Sequence, residues 1–216
     1  LISSLGKNMI KNYKKQTLEQ LQYVSELPFP EPEMLPEDLQ KYMHVCKEKL
    51  GFVPNVIKAF SLRPEKLRTF ISKYNELMLN DDTTLTRLER EMIAVVVSSY
   101  NHCVYCVTSH SQAVREYSSD PVLADILVTN YSAAELTNRQ RAMLDYAWKM
   151  TANVAETGNA ERQLLFDAGF TAEEIFDITD IVAYFNYTNR MTHGLGIQPN
   201  KIYFGLNRQE TGNSKN

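Results

Sequence analysis

The sequence predicts an all-α protein, and two features carry that prediction. Only eight glycines and eight prolines occur in 216 residues. Apolar side chains recur at three- and four-residue intervals along most of the chain instead of alternating. The 44% hydrophobic and 23% charged fractions suit a globular chain that buries a substantial core without staples.

The elements follow in order. "YKKQTLEQLQYVSEL" is weakly amphipathic and ends at "PFPEPEMLPEDL", whose four prolines do not fit a helix interior. Residues 1–36 therefore read as an arm that packs on a neighbour, followed by an extended linker from Pro28 to Pro36. Residues 37–216 form the helical domain. Pro36 opens a short helix, since proline suits a first helical turn. In "LRPEKLRTFISKYNELML", Leu67, Phe70, Ile71, Tyr74, Leu77 and Met78 make one apolar stripe. "NDDTTLT" breaks that stripe and caps a helix over about Thr86 to Ser99, apolar on most of its circumference and hence central. "SYNH" interrupts, a further helix runs from near Cys103 to Tyr117, and "SSDP" ends it. The last long helix, in "EEIFDITDIVAYFNYTNRM", turns Ile175, Ile178, Ile181, Val182 and Phe185 inward. "GLGIQP" stops it.

A weak internal echo relates "LTRLEREMI" at Leu85 to "LTNRQRAML" at Leu136 through Leu-Thr, an Arg five residues on, and the Met that follows. It divides the domain into a unit at about 64–130 and a second at about 133–200. The second copy has Ala142 where the first has Glu91, and no Cys-x-x-Cys follows it.

Function is sought in "REMIAVVVSSYNHCVYCVTSH". At 100° per residue, Cys103, Cys106, Val107, His110, Ala113, Val114 and Tyr117 share one helical stripe. Thr108, Gln112, Arg115 and Glu116 lie on the other side with Tyr105. Glu91 borders the Leu88–Met92–Val95 stripe of the preceding helix. If "SYNH" reverses the chain, Glu91 comes to lie opposite the thiols. A cysteine in a first helical turn meets unpaired backbone N–H groups that favour the thiolate. His110, one turn on, can accept a proton, and Glu91 can hold and orient it. Two thiols a turn apart can close a disulfide.

Blander readings stay open on the residues alone. The Cys-x-x-Cys pair can be two small buried hydrophobes, and Glu91 a surface ion-pair partner. Zinc would draw on Cys103, Cys106, His110 and His102, but its usual second ligand pair has no recognisable source in His44, Cys46 or His193. Cys46 reads as half-buried core, His44 as surface, and His193 as a helix end.

Glu91, Cys103, Cys106 and His110 in "EMIAVVVSSYNHCVYCVTSH" together resemble the redox signature of the AhpD-like branch of the carboxymuconolactone decarboxylase superfamily. "GFVPNVIKAFSLRPEKL", "DPVLADIL", "LTNRQRAMLDYAWKMT" and "AGFTAEEIFDITDIVAYFNYTNR" are similar to its peroxidase-related subgroup, and the match runs from about Leu39 to Pro199. The resemblance implies an all-helical AhpD-like bundle, a cytoplasmic homo-trimer or hexamer, and hydroperoxide reduction through a dithiol–disulfide cycle. Cys106 would attack, Cys103 resolve, and Glu91 and His110 relay protons. A lipoyl or thioredoxin-like protein would supply electrons. Tyr105 stands where the best-studied family peroxidase has a histidine. Helix-end electrostatics alone favour Cys103 as the lower-pKa thiol, against that assignment of roles.

Other classes fit less well. A net charge of −3 with interspersed signs offers nucleic acid no basic field. No apolar run is long enough for a bilayer, and the first residues lack the apolar segment of a secretory signal. Three cysteines do not make a secreted disulfide framework. No flavin or nucleotide motif and no metal site is evident, so no cofactor is expected. The rival functions are a carboxymuconolactone decarboxylase-type enzyme and a non-catalytic redox- or metal-sensing oligomer.

Overall fold

The computed structural model describes residues 23–208; the first part of the expected arm, 1–22, lies outside the described residues. Residues 24–26 lie along this chain's own C-terminal loop. Gln198 N–H donates to Val24 O at 3.1 Å, and Ser25 Oγ donates to Leu195 O at 2.7 Å. The stretch expected to be extended contains a 3-10 turn, Pro32–Met34.

Helix α1 (Glu37–Leu50) begins after Pro36 and runs for 14 residues, not the short helix expected. Leu39, Met43 and Cys46 recur on its inner face, acids open it and lysines close it. Gly51, at φ 82°, supplies the left-handed stop. Cys46 is buried, where half-burial was expected. The α2 helix (Asn55–Phe60) is tied to the C-terminal loop, because Asn55 Nδ2 donates to Gln198 O and Asn55 N–H to Asn200 Oδ1.

The α3 helix (Pro64–Tyr74) places Pro64 in its first turn, then widens into a π-helical turn, Asn75–Leu79. The extra residue in that turn brings Leu77 and Met78 inward. Thr86 then caps α4 (Arg87–Tyr100) in a reciprocal pair with Glu89. Every α4 residue from Glu89 to Ser98 is buried. Around it pack α5 (Val104–Ser118), α6 (Pro121–Asn130), α7 (Asn138–Ala152) and α9 (Ala172–Gly194), with α8 (Asn159–Asp167) against α7 and α9. All described secondary structure is helical or turn. Among the described residues no helix is long and apolar enough to cross a membrane.

Three of the four echoed positions make similar local contacts at α4 and α7. Thr137 caps α7 with Gln140 as Thr86 caps α4 with Glu89. Arg90 Nη1 reaches back to Leu77 O and Asn80 O, and Arg141 reaches back to Tyr131 O and Ala134 O. Met92 and Met143 are both wholly buried.

Two apolar clusters divide the interior. The larger surrounds α4. The smaller joins α1, α2, Leu67, both residues of the Cys-x-x-Cys pair and Tyr203, and Phe70 packs against both. The outer face expected for α5 is corrected in part. Tyr105 and Arg115 are buried, at 5% and 3% exposure, while Tyr117 is exposed. The cause is non-local. A 3-10 turn, Lys201–Phe204, returns over α5, where Arg115 donates to Tyr203 O and Leu206 O.

Candidate functional site: a buried dithiol beside a carboxylate–imidazole pair

The site starts from the way α4 stops. His102 takes the left-handed conformation, φ 53°. His102 N–H donates to Ser99 O, and Cys103 N–H to Ser98 O at 2.9 Å. These two bonds satisfy the last carbonyls of α4 and reverse the chain. Cys103 is also the N-cap of α5, and its sulfur accepts Cys106 N–H at 3.4 Å. One residue thus ends one helix and begins the next, fixing the dithiol to both.

The reversal sets a register. Ser98 faces Cys103 across the turn. Two helical turns further out on each helix, Glu91 Oε2 meets His110 Nδ1 at 2.6 Å. Glu91 is 5% exposed. The His110 ring stands edge-on to Phe185, with centroids 4.7 Å apart. With Nδ1–H given to the carboxylate, Nε2 is the nitrogen left for proton exchange.

The sulfurs of Cys103 and Cys106 lie 2.7 Å apart. Cys103 is held below the usual thiol range, first by its hydrogen bond with the Cys106 side chain and also by Cys106 N–H, against the cost of burial. Cys106 is pushed well above that range, first by burial and then by Cys103. When the pair ionises, the first charge therefore falls on Cys103 and the shared proton stays on Cys106. The charged sulfur is the one that backbone N–H groups already face.

Access runs the other way. A cavity of about 520 Å³ is lined by Cys106, His110 and Glu91 but not by Cys103. Its remaining wall is largely apolar, and its aromatic residues include Tyr42, Phe70, Tyr74 and Tyr184. Burial raises the phenols of Tyr74 and Tyr184 far beyond neutrality. The cavity follows α5 from Cys106 to Glu116, a rise of about 15 Å.

Tyr105 turns away from the proton path. Its hydroxyl accepts Val56 N–H at 3.3 Å, and burial raises its pKa well above the ordinary value. Tyr105→Phe is expected to cost about 1 kcal/mol through the lost bond and to leave the thiol pH profile in place. A denaturant melt and a thiol titration check both halves.

Sequence reasoning missed Thr192, whose Oγ1 lies 3.7 Å from Cys106 Sγ. The signal was available, because Thr192 follows Phe185 by seven residues and continues the inward stripe of α9. The remaining candidates lie elsewhere. His44 is on the surface beside Glu48, and His193, at the end of α9, is exposed and hydrogen-bonded with Asn101 O. Among the described residues no three His, Cys, Asp or Glu side chains converge as a metal site would require.

Known proteins place the chain in a family. Residues 64–148 match the model of the carboxymuconolactone decarboxylase family. A crystal structure of an uncharacterized peroxidase-related protein from Silicibacter sp. TM1040 is 48% identical and superposes with a TM-score of 0.81, over 86% of this chain and 95% of that one. The chain belongs to the carboxymuconolactone decarboxylase/AhpD-like superfamily. A second AhpD-like relative is an uncharacterized peroxidase-related protein with an alkylhydroperoxidase AhpD core, from Ralstonia eutropha JMP134. It is 39% identical, with a TM-score of 0.84 over 88% of this chain and 99% of that one. The debrominase Bmp8, 17% identical with a TM-score of 0.70 over 84% of this chain and 94% of that one, shares the AhpD-like fold. No curated protein matches the chain.

Proposed function

We propose that the protein is a thiol-dependent peroxidase that reduces organic hydroperoxides and is recycled by an external dithiol. The observation that carries this reading is the shared cavity. It presents Cys106 beside the Glu91–His110 pair while Cys103 waits behind, in contact with the Cys106 sulfur. A carboxylate–imidazole proton relay and a paired thiol in one secluded space suit two-electron peroxide reduction.

The steps balance as follows. The Cys106 proton passes to Cys103, leaving a thiolate on the cavity wall. That thiolate attacks the terminal peroxide oxygen; an S–O bond forms and the O–O bond breaks. The departing alkoxide takes the Nε2 proton of His110, which His110 has drawn from solvent and Glu91 steadies, and leaves as an alcohol. Cys106 is now a sulfenic acid, oxidised by two electrons. Cys103 attacks that sulfur, the S–S bond forms, and the hydroxyl leaves with a proton as water. An external dithiol, of the lipoyl or thioredoxin-like kind, then reduces the disulfide by exchange. The apolar wall favours substrates with an apolar body over hydrogen peroxide. A cytoplasmic trimer or hexamer is the assembly this reading carries with it.

Thiols should be counted before and after cumene hydroperoxide. Two of the three cysteines are expected to disappear and to return on adding a dithiol, with Cys46 unchanged. Oxidation of none, or of Cys46 alone, rejects the reading. Repeated turnover with excess dithiol separates an enzyme from a sensor that is oxidised once. A decarboxylase has no use for the paired sulfurs, which is why the redox reading is preferred within this family.

A further inference from the structure

The peroxidase reading leaves a conflict between charge and access. Cys103 is the sulfur more readily ionised, yet of the two only Cys106 lines the cavity. Something must favour charge on Cys106 when it reacts.

Thr192, near the end of α9, is placed to do so. Its Oγ1 lies 3.7 Å from Cys106 Sγ and donates to Thr188 O at 2.8 Å. All of these residues are buried, and all three line the cavity. A hydroxyl has one proton and turns freely about its C–O bond. Thr188 O does not depend on that proton, because it lies inside α9, where the backbone N–H four residues on also reaches it. The hydroxyl can leave it without stranding a buried acceptor.

The height of Thr192 is fixed by a polar lock one turn earlier. Asn189 Nδ2 donates to Ser98 Oγ at 3.0 Å, and Asn101 Nδ2 donates to Asn189 Oδ1 at 3.0 Å. Ser98 and Asn189 are fully buried. Ser98 is also the residue whose carbonyl receives Cys103 N–H. The lock thus pins α9 to the turn that carries the dithiol.

We propose that Thr192 is a hydrogen-bond switch for the attacking sulfur. Its hydroxyl donates to Thr188 O while Cys106 is a thiol, and turns to donate to Cys106 Sγ when that thiol ionises. The switch favours charge on the sulfur that faces substrate. It adds a residue of α9 to a site otherwise built on α4 and α5, and it rests on the assignment of attack to Cys106.

Other titratable groups around Cys106 do not supply this donor. Glu91 and His110, from α4 and α5, are engaged with each other. Tyr184 of α9 donates to Phe70 O, and the adjacent Tyr105 is engaged with Val56 N–H. Tyr74 of α3 makes no hydrogen bond with Cys106 Sγ, whose side-chain partners are Cys103 and Thr192. On α1, Tyr42 and Cys46 are raised by burial and stay neutral.

The test needs no peroxide. In a Cys103→Ser background, Cys106 alkylation by iodoacetamide is followed against pH. Thr192→Val is expected to raise the apparent pKa of Cys106 by about one unit, as losing a hydrogen bond to a charged group should. Thr192→Ser, which keeps the hydroxyl, is expected to hold the profile of the background. An unchanged profile in Thr192→Val overturns the proposal, and so does a Thr192→Ser profile that follows Val. Thr192→Ala serves as a second hydroxyl-free variant, with thermal melts confirming that each compared protein is folded. If the alkylation shift is seen but peroxide is never consumed, the switch stands and the peroxidase reading fails.

Discussion

Cys106→Ser is expected to abolish peroxide consumption, whereas Cys103→Ser is expected to retain a single oxidation per chain. The reason is the geometry of access. Cys106 lines the cavity with His110 and Glu91, and Cys103 does not. Without the Cys106 sulfur, the remaining thiolate is 1% exposed and walled off behind the helix start. Without the Cys103 sulfur, attack proceeds and stops at the sulfenic acid, because nothing nearby can condense with it. That species should be trapped by a cyclic 1,3-diketone and appear as one adduct on Cys106 by mass spectrometry. Electrostatics alone point the opposite way, since Cys103 has the depressed pKa. An adduct on Cys103 in Cys106→Ser, with none on Cys106 in Cys103→Ser, would show that charge rather than access decides, and the roles would be exchanged.

The same balance sets the pH dependence. The pair should lose its first proton below the usual thiol range and its second well above it. Across that interval the dithiol carries one negative charge, and the singly ionised form is the one that reacts. Reactivity should therefore rise as pH climbs through the lower step. It should set in at a lower pH than for an ordinary cysteine, whose pKa is about 8.5.

How much of this is written locally in the chain can be judged residue by residue. The central position of α4 is legible because it is apolar on nearly all sides, and a helix of that kind has to be covered everywhere. The meeting of Glu91 with His110 is legible as a conditional, for it needs only helical spacing and a chain reversal at "SYNH". What the sequence does not announce is the form of that reversal. His102 fills a left-handed position that glycine usually takes, so no glycine flags it. Tyr105 and Arg115 read as outward because helical phase reports only the face of one helix. Their burial comes from α2 and from residues 201–206, contacts more than eighty positions away in the case of Arg115. The long run of α1 past its prolines is likewise settled by what covers Leu39, Met43 and Cys46 rather than by propensity. Thr192 lies between these cases. Its phase on α9 is readable, but a threonine on an inward stripe becomes meaningful only when a sulfur is found opposite it.

Glu91→Gln tests the other half of the site, and it is expected to slow sulfenic acid formation by about 100-fold with little change in stability. The substitution keeps shape and volume, so the α4–α5 packing has no reason to change. It removes the negative charge that lies 2.6 Å from His110 Nδ1. Two consequences follow, and both act on the leaving oxygen. A protonated imidazole loses the counter-charge that stabilises it in a buried setting. The amide can also present N–H instead of oxygen to Nδ1, which holds Nε2–H on a neutral ring, a far weaker acid than an imidazolium. Replacing a buried charged contact by a neutral hydrogen bond of the same shape should move folding free energy by about 1 kcal/mol at most. Stopped-flow oxidation and a thermal melt separate the two effects. A slow variant with an unchanged melting temperature assigns Glu91 to the chemistry. A variant that oxidises at the parent rate removes the carboxylate from the mechanism and leaves His110 to act without it.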